Sequence, residues 1–356
     1  MPKTVLCLKV PKKQGEKAIT LAGRMRLIDR TLGIGREGEY LLIPILREPK
    51  KTEWTTIAQE IPEIQSTEGS FVEKKPPMQT LEQVLQNQLP PNLLVMLPQA
   101  FDIVGDIIII DIPPLLKSYQ GLIGAALLQT HRSIKTVLAK ASDISGDYRI
   151  RDYTHIVGEN KTNAIHREFG CIYHVDLARA YFSPRLSHEH ERVVSLVQSG
   201  EVVVDLFAGV GPFSVLIGKR CPGARVYAVD LNPDAVELLK ANLCVNRVDD
   251  RVFAVCADAR KLSKGKLKGV ADRVIMNLPE TALDFVDAAC SAIKPSGGVV
   301  HFYSFVRLPD TVESLKRRFS EAVTLNGRKV ETFFCSRCIR ETAPFESQVV
   351  LDAEIR

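Results

Sequence analysis

No stretch of about eighteen apolar residues occurs in this chain of 356 residues, so no membrane-spanning helix is expected. Signal character is missing as well. Met1 to Val10 carries lysines but neither a long apolar core nor a small-residue cleavage site, and no secretory leader is expected. A second C-x-x-C is also absent. Cys335-Ser336-Arg337-Cys338 stands alone, whereas a zinc ribbon needs two such pairs. No metal is expected, and the pair is left open to a disulfide if the source is a hyperthermophile. The other cysteines (Cys7, Cys171, Cys221, Cys244, Cys256, Cys290) are scattered, mostly in apolar segments, which fits reduced thiols in a cytoplasmic protein. No internal repeat is found.

Strong net charge is lacking too. The total is only +5, but residues 1–77 carry 14 Lys+Arg against 10 Asp+Glu and so hold +4 of it. A basic N-terminal segment suits a polyanion such as RNA, and equally a solvated basic surface without a partner. With 45% hydrophobic and 25% charged residues the composition is globular, and the length leaves room for two or three domains.

What is present begins at Val202-Val203-Val204-Asp205-Leu206-Phe207-Ala208-Gly209-Val210-Gly211-Pro212-Phe213. A β-branched run reads as a buried parallel strand, a glycine turn follows, and a helix starts near Phe213. A second strand, Ala224 to Val229, ends in Asp230. A glycine turn followed by an acidic strand end is how doubly wound α/β domains hold a nucleoside. The turn is not the dinucleotide G-x-G-x-x-G. Its acidic opening suits a cofactor with a sulfonium and an amino group, S-adenosylmethionine, and the first reading is a methyltransferase.

The α/β rhythm continues to the end of the chain. Strands are expected at Val202–Leu206, Val226–Asp230, Val252–Cys256, Arg273–Asn277, Gly298–Phe302, Arg328–Phe334 and Gln348–Ala353, with helices at Pro233–Asn242 and Ala282–Ile293 among others. Upstream, strands are expected at Val5–Leu8 and Tyr40–Ile45, with a helix over Gly15–Leu27. A linker is expected within Glu60–Pro77. The middle of the chain should hold a helix start at Thr80, a hairpin over Phe101–Ile112 and a helix over Leu122–Leu138. Strands should follow from Asp152 to Asp176, turning at Phe169-Gly170, and then a helix over His188–Val197. Gly146-Asp147-Tyr148-Arg149-Ile150-Arg151 reads as basic residues alternating on a strand.

Several positions carry chemistry. Asp230 can accept both ribose hydroxyls of an adenosine, because Asn232 already serves to cap the helix at Pro233. Asp258, closing the third strand, can bond the adenine amino group. Asn277-Leu278-Pro279-Glu280 closes the fourth strand, where enzymes that methylate exocyclic base amines carry an aromatic after the proline. Glu280 stands there instead, which points to a different target atom, while Asn277 still offers an amide to a base edge. Glu189 and Arg192 share a helix face by i, i+3 spacing; by spacing alone this is a salt-bridged surface helix.

Taken in order, Tyr148-Arg149-Ile150-Arg151, Gly158-Glu159-Asn160, Tyr181-Phe182-Ser183-Pro184-Arg185-Leu186, Glu189-His190-Glu191-Arg192, the turn from Asp205 to Phe213, and Asn277-Leu278-Pro279 resemble the archaeal and eukaryotic tRNA (guanine-37-N1)-methyltransferase family over essentially the whole chain. The resemblance implies a Rossmann-like class I methyltransferase domain with a doubly wound, mostly parallel sheet over 181–356. It further implies an α/β RNA-binding middle domain over 78–180, a linker at 71–77 and a small N-terminal α/β domain over 1–70 that touches the outer corner of tRNA. Residue by residue it implies Glu189 as general base, Arg149 beside guanine O6, Asn277 and Pro279 holding the target base, and Tyr181 as an aromatic beside it. His190, Asp205, Phe207, Gly209, Gly211, Asp230, Leu231, Asp258, Ala259 and Asn277 fall at cofactor-contacting positions.

The expected partner is tRNA, at the anticodon loop and outer corner, for a cytoplasmic monomer that uses S-adenosylmethionine. Three rivals remain: an aminocarboxypropyl transferase of the wybutosine pathway, added C7 methylation of the wyosine precursor imG-14, and a non-catalytic tRNA-binding protein. The first fits less well, since its counterpart to Arg185-Leu186 reads more like Gly-Asn and it usually lacks the N-terminal domain.

Overall fold

The computed structural model describes residues 3–73 and 79–356, which divide into two compact units meeting at Gln79-Thr80. Of the expected linker, residues 74–77 lie outside the described residues.

The first unit contains β1 (Lys3–Pro11), α1 (Gly15–Arg24), β2 (Gly35–Glu37), β3 (Tyr40–Pro44), α2 (Lys51–Glu60) and β4 (Gln65–Phe71). Its antiparallel sheet runs β2-β3-β1-β4. Leu8, Val10 and Ile43 bury against Ala18, Ala22 and Ile57 of the two helices and Ile61 just past α2. β4 corrects the expectation of a linker over Glu60–Pro77. It pairs with β1 from Lys3↔Phe71 to Lys9↔Gln65, and of its residues only Phe71 is buried. An edge strand is free to be polar, so its hydrophobic pattern is too thin to read. Four of this unit's basic residues are met locally, in Lys9–Glu37, Lys12–Glu39, Lys17–Glu60 and Arg47–Glu53 ion pairs.

The second unit opens with α3 (Leu81–Leu85) and α4 (Pro91–Leu94). The Thr80 side chain caps α3, with Gln83 reaching back to the Thr80 N–H. Then come β5 (Phe101–Val104), β6 (Ile107–Ile110), α5 (Gln120–Thr130), β7 (Thr136–Lys140) and β8 (Tyr153–Gly158), in a sheet of order β5-β6-β7-β8. β7 is a second correction: the helix expected over Leu122–Leu138 ends at Thr130, and Thr136–Lys140 pairs in parallel with β6. Both halves of the run are buried and apolar, which hides the change of period. Gly146–Arg151 is a third. It is a turn closed by the Ser145↔Ile150 bridge, with Gly146 and Arg149 at φ +70° and +56°.

β9 (Asn163–Glu168) and β10 (Cys171–Asp176) form a hairpin turning at Phe169-Gly170, both at positive φ as a tight hairpin turn demands. After α6 (Ser187–Leu196) the chain alternates β11 (Val202–Asp205), α7 (Pro212–Arg220), β12 (Arg225–Asp230), α8 (Pro233–Asn246), β13 (Val252–Cys256), α9 (Ala259–Lys264), β14 (Arg273–Met276), α10 (Val286–Ala292), β15 (Gly298–Arg307) and α11 (Val312–Leu325). It closes with a long hairpin, β16 (Val330–Ala343) and β17 (Glu346–Ile355). The sheet order is β13-β12-β11-β14-β15-β17-β16, parallel from β13 to β15 and antiparallel at β17 and β16. Successive strand residues feed opposite faces: Val203 and Ile275 enter one core, Val204 and Val274 the other. The β9–β10 hairpin joins the first of these cores through Tyr173 and Val175. Asn242 and Asn246 of α8 fasten it by bonding both backbone groups of His174 and of Ile172.

Cys335 and Cys338 are free thiols on β16. Three residues apart on an extended strand they are separated by roughly 10 Å, beyond disulfide reach, so the disulfide left open above is not formed here. Among the described residues no helix is long and apolar enough to cross a membrane.

Candidate active site

In a doubly wound sheet the crevice opens at the carboxyl ends of the strands, where strand order reverses. Here that point lies between β11 and β14. The turns after β11, β12, β13 and β14 border a cavity of about 610 Å³, with the Gly146–Tyr153 segment and the β16–β17 hairpin on its other sides.

The glycine turn after β11 is built from within. Gly209 sits at φ +55° and donates its N–H to Asp230 Oδ2 at 2.7 Å, so the acidic strand end holds the turn in place. Gly211 sits at φ +92°, and a Cβ there would meet Leu239 Cδ1 at 2.3 Å. Asp230 Oδ1 accepts from Asn232 N at 2.9 Å, and Asp230 lines the cavity. Burial raises the Asp230 carboxyl above its ordinary range, against the backbone N–H groups of Asn232, Gly209 and Leu231, which favour the charged form. Asp258 caps α9, accepting from Lys261 N at 3.0 Å.

Asp205 lies behind the turn rather than on the cavity. Burial pushes its carboxyl up to about 7, although the Ser214 hydroxyl donates to Oδ2 at 2.8 Å; Oδ1 is buried without a partner. His190 borders the cavity with its imidazole edge-on to Phe213. Its Nδ1–H donates to Glu168 Oε1 at 2.7 Å, while His166 Nε2 stands 3.8 Å from Oε2, too far for a hydrogen bond. Burial alone would raise Glu168; the two imidazoles outweigh it and hold the carboxyl at about 2.

The turn after β14 is tethered to β15, since Pro279 O accepts from Phe305 N at 3.1 Å. Asn277 Oδ1 is a buried acceptor with no partner among the described residues. Glu280 faces the cavity and pairs with Arg149 through both ends of its carboxylate, at 2.9 and 3.1 Å. The Arg149 guanidinium in turn lies 5.7 Å from the centroid of the Tyr181 ring. One charged pair and one aromatic face thus meet at a single point of the cavity wall.

Glu189 is placed differently. It is fully buried on α6 and does not border the cavity. Its Oε2 accepts from Arg192 Nε at 3.0 Å and from the Tyr303 hydroxyl at 3.2 Å, and Oε1 meets Arg337 of β16. Arg192 continues to Asp352, Asp352 to His301 Nδ1 at 2.6 Å, and Arg273 donates to His301 Nε2 at 2.8 Å. Burial lowers His301; Asp352, which burial alone would raise, is held below its usual range by His301 and Arg192.

A family model described as the TRM5/TYW2 methyltransferase domain matches residues 164–331. The TYW2 N-terminal domain matches 81–162, and the tRNA methyltransferase 5 N-terminal domain matches 7–53. The tRNA (guanine(37)-N(1))-methyltransferase Trm5b of Pyrococcus abyssi is 39% identical over 350 residues, 98% of this chain and 99% of its own. The chain belongs to the TRM5/TYW2 methyltransferase family.

Other members of that family are close as well. Trm5b of Methanocaldococcus jannaschii is 32% identical over 98% of both chains. The tRNA 4-demethylwyosine(37)-methyltransferase Taw21 of Saccharolobus solfataricus is 33% identical but spans 70% of this chain and 92% of its own. Among solved structures, Pyrococcus abyssi Trm5b superposes with a TM-score of 0.73 at 37% identity over 99% of both chains. A complex of aTrm5 with tRNALeu gives 0.69 at 30%, covering 99% of this chain and 100% of that one. Methanocaldococcus jannaschii Trm5 in complex with adenosine gives 0.63 at 30% over 98% of both.

Within this TRM5/TYW2 fold, most residues expected at the site border one cavity: Arg149, Tyr181, Asn277 and Pro279 on one side, and His190, Phe207, Gly209, Asp230, Leu231, Asp258 and Ala259 on the other. Glu189, Asp205 and Gly211 stand behind its wall. Among the wall residues that were not expected there are Glu280, and Arg340 and Gln348 from the closing hairpin. Glu280 had a signal, its displacement of an aromatic. Nothing in the sequence marks the two hairpin residues, which reach the cavity only through the antiparallel end of the sheet.

Proposed function

We infer that this protein transfers the methyl group of S-adenosylmethionine to N1 of guanosine 37 in tRNA, beside the anticodon. The observation that carries the reading is full-length similarity, N-terminal unit included, to a relative named for that reaction. Taw21, named for a wyosine precursor, covers a smaller share of the chain.

The residues present fit the cofactor. Asn277 Oδ1 is a buried acceptor without a donor among the described residues, and Asp230 lines the same cavity. Asp230 would take the ribose hydroxyls, Asp258 the adenine amino group, Phe207 an apolar edge, and Asn277 a ligand amino group. When bound, S-adenosylmethionine supplies an electrophilic methyl on a sulfonium, so a neutral leaving group is already in place.

Guanine N1 carries a proton at neutral pH and is a poor nucleophile until it is removed. In this reading Glu189 takes the N1 proton as general base. Glu189 stands behind the cavity wall, so it can do so only once that wall opens to it and Arg337, its partner from β16, has moved off Oε1. Arg149 stabilises the negative charge that builds on O6. The base must be splayed from the anticodon loop, as single-stranded RNA is usually read, with Tyr181 as its stacking face.

The test is methyl transfer from isotope-labelled cofactor to tRNA transcripts carrying guanosine or adenosine at position 37. Label in the guanosine transcript alone supports the reading. Label in neither, with the cofactor bound, would contradict it.

A further inference from the structure

Behind the cavity wall, two rows of Cα partners cross the β15–β17–β16 end of the sheet. Tyr303, Val350 and Arg337 form one; His301, Asp352 and Cys335, two residues along each strand and so on the same face, form the other. Glu189 and Arg192, on one side of α6 by their i, i+3 spacing, meet one row each. Arg192 divides its guanidinium between them. Its Nε donates to Glu189 Oε2 at 3.0 Å, and its terminal nitrogens donate to Asp352 at 2.5 and 3.4 Å.

Asp352 and His301 are wholly buried. An arginine only donates, so His301 Nε2 accepts from Arg273 and the ring proton sits on Nδ1, where Asp352 receives it. The imidazole is therefore neutral, in keeping with the burial that lowers it. Arg273 has its own counter-ion in Glu201, at 2.9 and 3.0 Å. The cations facing Glu189 are thus Arg192 and Arg337, with the Asp352 charge behind Arg192 and the neutral Tyr303 hydroxyl beside it.

With Arg337 in place, two carboxylates face two guanidiniums. Once Arg337 has left, Glu189 and Asp352 share one, and a negative charge is in surplus. A proton neutralises it. Asp352 is the worse seat for that proton, because His301 and two nitrogens of Arg192 already donate to its charged form.

We propose that Asp352 is a positioning residue for the general base: by claiming the end of Arg192 it leaves Glu189 half of a counter-ion, which makes Glu189 the acceptor of the N1 proton. The electron pair left on N1 takes the methyl carbon as that carbon's bond to sulfur breaks. The inference rests on the reading of Glu189 as general base.

The experiment follows the single-turnover rate on a guanosine-37 transcript against pH, with cofactor affinity in parallel to report folding. In Asp352→Asn, Arg192 belongs to Glu189 alone. The acid limb, where protonation of the base slows the reaction, should move down by about one pH unit, and the plateau should fall about tenfold. Arg192→Gln should move the limb up by about as much. The two changes together remove a balanced pair and should return the limb to within about 0.3 of its original midpoint. Loosened packing does not produce opposite shifts that cancel. If one single variant fails to bind cofactor, the sign of the other's shift decides; if both fail, the midpoint of the double variant decides. A limb that stays put in a folded single variant, moves the same way in both, or remains displaced in the double overturns the proposal while the base reading stands. An unaltered rate in Glu189→Gln overturns the base reading, and this inference with it.

Discussion

Tyr303 donates its hydroxyl to Glu189 Oε2 across 3.2 Å in the interior of the protein, linking β15 to α6. Burial holds the phenol well above its ordinary pKa, next to the Glu189 charge, so the hydroxyl keeps its proton and remains a donor. Glu189→Gln should lower turnover by roughly a hundredfold or more, the range that a positioned base contributes, with tRNA and cofactor dissociation constants within about threefold. Single-turnover rates with separate binding titrations check this. A large loss of binding with unchanged turnover would sink the general-base role.

The Glu168–His190 pair makes a prediction in pH. Glu168 is held at about 2, below its unfolded value near 4.5, so its stabilisation is full above pH 4.5 and is lost as pH falls toward 2. Glu168→Gln should destabilise the fold by roughly 3 kcal/mol at neutral pH, an order-of-magnitude figure from that shift. The gap should narrow below about pH 4. Urea unfolding at pH 7 and pH 3 measures both, and an equal gap at the two values would contradict the account.

Asp230 both braces Gly209 and lines the cavity. Asp230→Ala should weaken cofactor binding at least tenfold, on the order of two lost hydrogen bonds. Affinity for tRNA should be unaffected. Calorimetric titration with S-adenosylmethionine, and filter binding with tRNA, separate the two.

The N-terminal unit packs around its own core and ends at Gln79, and β4 runs to Phe71. A cut after Gln79 keeps that strand out of the remaining protein. The shortened chain should bind cofactor as before and tRNA at least several-fold more weakly. Unchanged tRNA affinity would mean that the basic excess is only a solvated surface.

The parallel part of the fold was legible because buried strands such as Val202–Asp205 are β-branched runs bounded by turn residues, and each has a helix before the next. The Asp205–Phe213 turn and the Asn277–Glu280 turn are short, local and chemically unusual, so their place on the cavity followed from their place on the strands. Other features were not legible, for physical reasons. β4 is a polar edge. β7 continues an apolar run begun by a helix. Arg149 sits in a turn whose alternating basic residues imitate a strand. Of the partners of Glu189, only Arg192 was marked by spacing; Tyr303 and Arg337 lie more than a hundred residues away, and the register of β15, β17 and β16 brings them close.

The most direct test of the central claim is the identity of the modified nucleoside. The purified protein would be incubated with S-adenosylmethionine and a guanosine-37 transcript, the RNA digested, and the nucleosides resolved by mass spectrometry against methylguanosine standards. The account predicts 1-methylguanosine alone. A 2-methylguanosine or an aminocarboxypropylated product would contradict it.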